Sequence, residues 1–137
     1  VLPGMIEKES GAIVCISSDA GRMGEYREAV YSACKAGIIA LSKSVARETG
    51  RYGLRLNVVC PGLVVPPAEE SISEESMWNQ MRDIFTDEVR ERVERSYPLR
   101  RMAKASEIAN AVVFLSSDAA SFITGQTLSV SGGYTMM

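Results

Sequence analysis

The stretch REAVYSACKAGIIALSKSVARETGRYGLRLNVVCPG, residues 27–62, decides the fold class because a long helix is followed at once by a buried strand. Helix-forming residues continue from Arg27 to Thr49, and Gly50 opens the turn that ends them. Leu54 to Cys60 is a mostly apolar run that Pro61-Gly62 terminates. Such a run is typical of a parallel strand that is buried on both faces.

The same alternation continues on both sides of this stretch. Gly11 to Ser17 (GAIVCIS) predicts an earlier buried strand, preceded by a helix tail and turn in Val1 to Ser10 and followed by a loop in Ser18 to Glu25. Gln126 to Ser131 (QTLSVS) predicts a last strand after the Thr124-Gly125 turn. The order strand, helix, strand, helices, strand predicts an α/β fold, a Rossmann-like doubly wound parallel sheet with helices on both faces.

Helix start signals fill the interval before the last strand. Ser71 and Glu74 have the spacing of a capping box, and Thr86 is suited to cap a second helix. Ser106 is predicted to cap a third, with Glu107 in its first turn favouring the helix dipole. That third helix is expected to direct three apolar side chains inward: Ile108, Val112 and Leu115.

The long helix has apolar residues on most of its circumference. One predicted face comprises Cys34, Ile38, Leu41 and Val45, and Ala36, Ile39 and Ala40 widen it. A helix of this kind is buried on more than one side. We therefore expect a second helix or a partner subunit against it, and a homo-oligomer through this helix and the last strand.

Composition excludes several classes of function. The 137 residues fit one domain, and a net charge of −2 gives no long-range attraction to nucleic acid or anionic lipid. No apolar run approaches the roughly 18 residues that a membrane span needs. The chain has no histidine, so it cannot by itself build a Ser-His-Asp site or a His-ligated zinc site. Cys15, Cys34 and Cys60 have no CxxC spacing and are expected to be small buried residues, which favours a reducing, cytoplasmic compartment and no metal.

Two residues of the long helix form a candidate acid/base pair. Tyr31 and Lys35 are four apart, so they share a helix face with their Cβ atoms about 5–6 Å apart. A free tyrosine, with a pKa of about 10, exchanges protons poorly near neutrality. An ammonium group within a few ångström favours the phenolate. A pair with this spacing is common by chance, so its surroundings decide its meaning.

The surroundings are the ends of the two predicted strands. Ser17 and Ser18 end the first strand, and Pro61-Gly62 ends the second. Parallel α/β sheets build their sites at the carboxyl ends of strands, and glycine allows backbone to approach a ligand closely. The sequence thus predicts one site that contains both serines, the Tyr31–Lys35 pair and the Pro-Gly segment.

Taken together, these motifs resemble the short-chain dehydrogenase/reductase family. That family has a strand ending in Ser, then Tyr-x-x-x-Lys, then Asn-x-x-x-Pro-Gly, then a late Gly-Gln-x-Leu-x-Val-x-Gly-Gly strand. The corresponding segments here are ISS (16–18), YSACK (31–35), NVVCPG (57–62) and GQTLSVSGG (125–133). Their order and spacing agree over nearly the whole chain.

The resemblance implies a role for each matching residue. Tyr31 would be the general acid/base, and Ser18 would orient and polarise the substrate carbonyl, with Ser17 as the second candidate for that role. Lys35 would favour the Tyr31 phenolate and bind the ribose of NAD or NADP. The nicotinamide would be lined by Pro61, Gly62 and the backbone of Val64. The substrate would be a small alcohol or ketone.

Two departures from the family pattern matter. The family commonly has Thr two residues beyond the position of Val64, where this chain has Pro66 and then Pro67, which lack a hydroxyl and a backbone N–H. The Gly-rich phosphate loop, the residue that selects NAD or NADP and an upstream catalytic Asn would all precede Val1. We therefore expect residues 1–137 to be the C-terminal, catalytic portion of an NAD(P)-binding Rossmann-like domain, inactive on its own.

The segment from about residue 66 to 101 is expected to be a lid over the substrate. Its apolar residues would either line the substrate or simply pack the lid helix: Met77, Trp78, Met81, Ile84 and Phe85. Local details are similar to dehydrogenases of alicyclic hydroxyacyl-CoA thioesters. With such a substrate, a set of basic residues would contact the CoA phosphates. Otherwise these residues would form a solvated helix face together with Glu88, Glu91 and Glu94. The basic residues are Arg90, Arg92, Arg95, Arg100, Arg101 and Lys104. Two alternatives remain, a 3-oxoacyl thioester reductase of fatty-acid type and a catalytically silent structural subunit.

Overall fold

The computed structural model describes residues 1–66, 73–76, 79 and 85–137. The helices and strands in this part of the chain are, in order, α1 Leu2–Glu7, β1 Gly11–Ile16, α2 Ala20–Met23, α3 Ala29–Thr49, β2 Leu54–Pro61, α4 Asp87–Ser96, α5 Ala105–Ser116 and β3 Thr127–Val130. The predicted order of the three strands, the long helix and the helices from Thr86 and near Ser106 is confirmed. No helix among the described residues is long and apolar enough to cross a membrane.

The three strands form one parallel sheet in the order β1-β2-β3. Gly11 pairs with Leu54 in the first ladder, and Val58 pairs with Thr127 in the second. Because all three strands run the same way, their carboxyl ends meet at one edge of the sheet. The predicted α/β, Rossmann-like class is confirmed.

Helices α3 and α5 lie on opposite faces of this sheet. Ile39 of α3 packs against Val58 and Cys60, whereas Leu115 of α5 packs against Val59. Successive strand residues point to opposite faces, so these contacts separate the two helices. From β1 to β2 and from β2 to β3 the chain moves in the same direction across the sheet. Helix α3 covers one face in the first connection and α5 covers the other face in the second, so the two crossover connections have opposite hands. One of them therefore departs from the right-handed rule that nearly all such connections obey.

The buried face of α3 differs from the predicted one. Its inward stripe is Ile39, Ser42, Ala46 and Thr49, spaced three or four residues apart. Two residues of the predicted face, Cys34 and Leu41, are exposed, and Leu41 has 63% of its surface accessible. Small side chains at Ser42 and Ala46 let the helix lie close to the sheet, which hydrophobicity alone does not predict. The expectation that all three cysteines are buried holds for Cys60, whereas Cys15 is half-buried and Cys34 is exposed.

Several element boundaries also differ from the predictions. The predicted loop from Ser18 to Glu25 contains the short helix α2, and the long helix begins two residues late because Arg27 has a left-handed backbone with φ +66°. Thr86 does cap α4, accepting a hydrogen bond from Val89 N–H at 3.4 Å. Ser106 does not cap α5, which starts one residue before it. The Ser71-x-x-Glu74 capping box falls partly outside the described residues.

Helix α5 is held at both ends by charged side chains. At its start the Glu107 carboxylate accepts hydrogen bonds from the Arg101 guanidinium at 2.6 and 2.8 Å and from Lys104 N–H at 2.8 Å. These donors lower the pKa of Glu107 to about 2. At its end Arg55 donates to the carbonyls of Leu115 and Ser117, at 2.7 and 3.1 Å. The helix that packs on the sheet opposite α3 is thereby fixed at both termini.

Candidate active site

A cleft of about 750 Å³ opens at the carboxyl edge of the sheet. Ser18 after β1, Tyr31 at the start of α3, and Pro61 and Gly62 at the end of β2 all line it. Three of the four sequence motifs are therefore brought to one cavity, at the strand ends where the spacing predicts a site. The cavity is large enough for a drug-sized ligand.

Tyr31 is the third residue of α3 and keeps 45% of its surface exposed. The N-terminal turn of a helix carries a partial positive charge, which favours a negative group placed there. The side chain lines the cleft, so its hydroxyl group is available to a ligand.

Lys35 lies one turn further along α3 and supplies a nearby cation. Its ammonium Nζ is 5.5 Å from the centroid of the Tyr31 ring. The same Nζ donates a long hydrogen bond, 3.4 Å, to the carbonyl of Ile16 at the end of β1. An ammonium group has three donors, so donors remain beyond this bond, although Lys35 itself is not among the residues that line the cleft. The positive charge beside the phenol is thus present in the structure.

The two serines after β1 have different surroundings. Ser17 is 3% exposed and its hydroxyl donates to the Lys35 carbonyl at 2.8 Å, which ties the strand end to α3. Ser18 is half-buried, lines the cleft, and accepts a hydrogen bond from Ala20 N–H at 3.2 Å. A hydroxyl that accepts can still donate its own proton. Of the two, Ser18 is the one whose hydroxyl is placed to meet a ligand in the cleft.

Val64 lies beside the cleft and not within its lining. It lines a neighbouring apolar groove of about 500 Å³, which it shares with Pro61 and with residues of α5. Its backbone forms a single bridge with Ala103. The segment after Pro61 therefore separates the two cavities: Gly62 lines the cleft, and Val64 lines the apolar groove.

Asn57, the first residue of the NVVCPG motif, is buried and its side chain forms hydrogen bonds with the backbone. It is 1% exposed. Its Nδ2 donates to the Ile123 carbonyl at 2.8 Å and its Oδ1 accepts from Gln126 N–H at 3.0 Å. These bonds connect β2 to the segment before β3, and they place Asn57 away from the cleft lining.

Gly21 sets how closely α2 approaches α3. A Cβ atom at this position would lie 2.6 Å from the Lys35 carbonyl carbon and from Ala36 N. Backbone at that distance cannot yield, so any larger residue would displace the turn that carries Lys35. In the sequence, Gly21 is only one residue of the predicted loop from Ser18 to Glu25, and no local pattern indicates this contact.

A buried polar cluster behind Ser18 was not predicted either. Asp19 is 3% exposed, and its Oδ2 accepts a hydrogen bond from the Ser129 hydroxyl at 2.5 Å. The Ser129 oxygen lies 2.7 Å from Ser131 Oγ and 3.0 Å from Thr135 Oγ1. This cluster joins the end of β1 to β3 across the sheet, and so it fixes the backbone from which Ser18 projects.

Two stacked tyrosines form a second wall of the cleft. The rings of Tyr97 and Tyr134 are 5.2 Å apart at their centroids and inclined by 23°. The Tyr97 hydroxyl accepts a hydrogen bond from Leu63 N–H at 2.8 Å, and the Tyr134 hydroxyl donates to Glu25 Oε2 at 3.1 Å. Burial raises the pKa of both phenols, and the hydrogen bond to Glu25 raises that of Tyr134 further. Both therefore stay neutral near neutral pH.

The described end of the predicted lid contributes to the same cavity. Val93, Ser96 and Tyr97, from α4 and the residue after it, line the cleft. Four of the predicted apolar lid residues lie outside the described residues: Met77, Trp78, Met81 and Ile84. Two of the basic residues are in ion pairs, Arg95 with Glu91 at 3.1 Å and Arg101 with Glu107 at 2.6 Å.

Comparison with known proteins gives a consistent set of relatives. Residues 1–135 match the family model described as enoyl-(acyl carrier protein) reductase. The chain is 41% identical over 134 residues to 3-oxoacyl-[acyl-carrier-protein] reductase FabG of Staphylococcus aureus, covering 98% of this chain and 49% of that protein. It is 40% identical to acetoacetyl-CoA reductase of Synechocystis, covering 97% of this chain and 50% of the relative.

A solved structure shows the same fold. An oxidoreductase of the short chain dehydrogenase/reductase family from Burkholderia thailandensis superposes with a TM-score of 0.83 at 43% identity, covering 98% of this chain and 48% of that one. The chain thus spans about half the length of the relatives that it matches.

Proposed function

We propose that this chain, which belongs to the short-chain dehydrogenase/reductase family, is the catalytic part of an enzyme that transfers hydride between NAD or NADP and a secondary alcohol or ketone. One observation carries the proposal. Ser18 and Tyr31 line a single cleft at the strand ends, and the Lys35 ammonium lies 5.5 Å from the Tyr31 ring.

Each of these residues has a distinct part in the proposed reaction. When the substrate is a ketone, the Ser18 hydroxyl donates a hydrogen bond to the carbonyl oxygen and so polarises the carbonyl. The Tyr31 hydroxyl gives its proton to that oxygen as the carbonyl carbon accepts hydride. Lys35 stabilises the phenolate that remains. Oxidation of the alcohol is the same sequence reversed, with the Tyr31 phenolate as base.

The residues present fit a nicotinamide cofactor, which would supply or accept the hydride. Pro61 and Gly62 line the cleft, and their extended backbone would lie against the nicotinamide ring. The Lys35 ammonium would hold ribose hydroxyls with the donors that Ile16 does not occupy. Val64 would contribute through its backbone from the adjoining groove. The choice between NAD and NADP would lie in the half of the relatives' length that this chain does not match.

The proposed substrate is a hydroxyacyl or oxoacyl thioester. The relatives' names favour this class, because one is a 3-oxoacyl-[acyl-carrier-protein] reductase and another an acetoacetyl-CoA reductase. Within the class, an alicyclic hydroxyacyl-CoA and a linear 3-oxoacyl chain are both candidates. The test is to assay the complete protein with both kinds of thioester, each with NADH and NADPH, by loss of reduced-cofactor absorbance. Turnover supports the enzyme, whereas no turnover with any pair would favour a silent structural subunit.

A substitution of Lys35 should damage both catalysis and cofactor binding. In the complete protein we expect Lys35→Ala to lower kcat by about 100-fold, because the phenolate loses its cation. We expect cofactor Kd to rise by about tenfold, because a charged hydrogen-bond donor to the ribose is lost. Lys43→Ala, an exposed lysine two turns along the same helix, is the matched control and should change neither value. An unchanged Kd in Lys35→Ala would remove the ribose contact from the proposal.

We also propose that the enzyme is a homo-oligomer through α3 and β3. The outward side of α3 is apolar and small, with Leu41, Cys34 and Ala40 exposed. Strand β3 is at the edge of the described sheet. Light scattering of the complete protein at micromolar concentration should give a dimeric or tetrameric mass. A monomeric mass would overturn this part of the proposal.

A further inference from the structure

The stacked pair Tyr97–Tyr134 is a part of the cleft wall that the proposed reaction does not use. Tyr97 is 5% exposed and holds Leu63 N–H, next to Gly62, so its ring is fixed against the segment that would line the nicotinamide. A Cβ atom at Gly62 would lie 3.1 Å from Tyr97 Cε1, which shows how closely the ring approaches this backbone. The outer ring of the pair, Tyr134, is 37% exposed and lines the cleft.

Tyr134 is restrained on two sides. One face of its ring stacks on Tyr97, and its hydroxyl donates to Glu25, which belongs to the loop before α3. Glu25 is itself restrained, because its Oε1 accepts from Tyr26 N–H at 3.1 Å and its N–H donates to Ser32 Oγ at 3.2 Å. The backbone around Tyr134 adds a further restraint, since Leu99 N–H donates to the Gly132 carbonyl at 3.2 Å.

These contacts connect three separate segments across the cavity. The loop before α3, the residue after α4 and the segment after β3 all meet at Tyr134. A ring held by stacking and by a hydrogen bond cannot turn aside without losing both contacts. Its exposed edge is therefore a fixed part of the wall of the cleft that Ser18 and Tyr31 also line.

We propose that Tyr134 is a specificity-determining residue: stacked on Tyr97 and fixed by Glu25, it forms an end wall that limits the bulk of the ketone or alcohol reaching Ser18 and Tyr31. This inference rests on the proposed function. It assigns to Tyr134 a selection by size, and no part in proton transfer.

The test uses two ketones of different bulk with the complete protein. The narrow one is the linear acetoacetyl thioester of N-acetylcysteamine, and the bulky one is the rigid bicyclic ketone trans-decalone. The measured quantity is the ratio of kcat/KM for decalone to kcat/KM for the thioester. Because both substrates are assayed on the same preparation, a variant that is partly unfolded lowers both values and leaves the ratio unchanged.

We expect Tyr134→Ala to raise this ratio at least tenfold and to leave the KM for cofactor unchanged. Tyr134→Phe keeps the stacked ring but loses the bond to Glu25, so we expect a rise of only two- to threefold. Tyr26→Ala is the matched control, because Tyr26 is 81% exposed and its N–H to Glu25 survives the change. An unchanged ratio in Tyr134→Ala overturns the inference while the proposed function stands. No turnover of either ketone or of any alcohol by the wild type overturns the proposed function, and the inference with it.

Discussion

Replacing Tyr31 with phenylalanine in the complete protein should lower kcat by about 10³-fold, within the range that general acid–base groups contribute. Phenylalanine keeps the ring beside Lys35 and removes only the hydroxyl that exchanges the proton. The Kd for the dinucleotide should therefore change little, because the proposed contacts of Lys35 with the ribose and of the Pro61-Gly62 backbone with the nicotinamide are untouched. This separation of rate from binding distinguishes Tyr31 from Lys35, whose substitution should affect both.

The measurement is steady-state turnover together with a fluorescence titration of the reduced cofactor. Tyr26→Phe is a suitable control, since Tyr26 is 81% exposed and its hydroxyl has no place in the mechanism. It should retain full activity. If Tyr31→Phe kept more than about a tenth of the wild-type kcat, a different group would be the proton donor. If it weakened the dinucleotide as much as Lys35→Ala does, the two residues would not divide the roles as proposed.

The sequence predicts the site better than it predicts how the helix packs. Motifs at two strand ends and at the start of α3 are sufficient to bring Ser18, Gly62 and Tyr31 together, because parallel strands place their carboxyl ends at one edge and the helix after β1 begins there. The buried face of α3 was predicted wrongly because its inward positions Ser42 and Ala46 are small and not strongly apolar. These small side chains face inward because the helix lies close to the sheet. Hydrophobic periodicity contains no information about the distance between helix and sheet.

Residues whose role depends on distant partners could not be predicted. Asp19 follows Ser18 in sequence, yet its partner Ser129 is 110 residues away. The contact of Tyr134 with Glu25 spans 109 residues. Neither pair forms a local motif, so no spacing rule indicates it. The local sequence before Tyr134 is Gly-Gly, which predicts a turn. It does not indicate that Tyr134 lines the cleft.

The second large effect concerns the chain of 137 residues by itself. We expect this chain to show no hydride transfer and to bind NADH or NADPH no more tightly than about 1 mM, the weak end of the affinity scale. Most dinucleotide affinity in this fold comes from the pyrophosphate on a Gly-rich turn at a helix N-terminus. The matching residues here, Lys35 and Pro61-Gly62, would contact the nicotinamide and its ribose alone.

Among the described residues, strand β1 pairs with β2 on one side and is an edge of the sheet on the other. All residues of β2 from Leu56 to Cys60 are buried, whereas every residue of β1 is partly accessible and Ile16 is 45% exposed. On α5 the apolar residues Val113 and Phe114 are 67% and 44% exposed. An open strand edge and uncovered apolar surface favour self-association, so the isolated chain should also aggregate more readily than the complete protein.

Isothermal titration of the purified chain with NADH and with NADPH tests the binding, and the complete protein titrated in the same buffer is the control. The complete protein should bind one of the two cofactors in the micromolar range, and the chain of 137 residues neither. A micromolar Kd for this chain would mean that residues within it build a pyrophosphate site by themselves. In that case Lys35 and Pro61-Gly62 would be a minor part of the cofactor contacts, and the proposed division of the enzyme into a cofactor half and a catalytic half would be wrong.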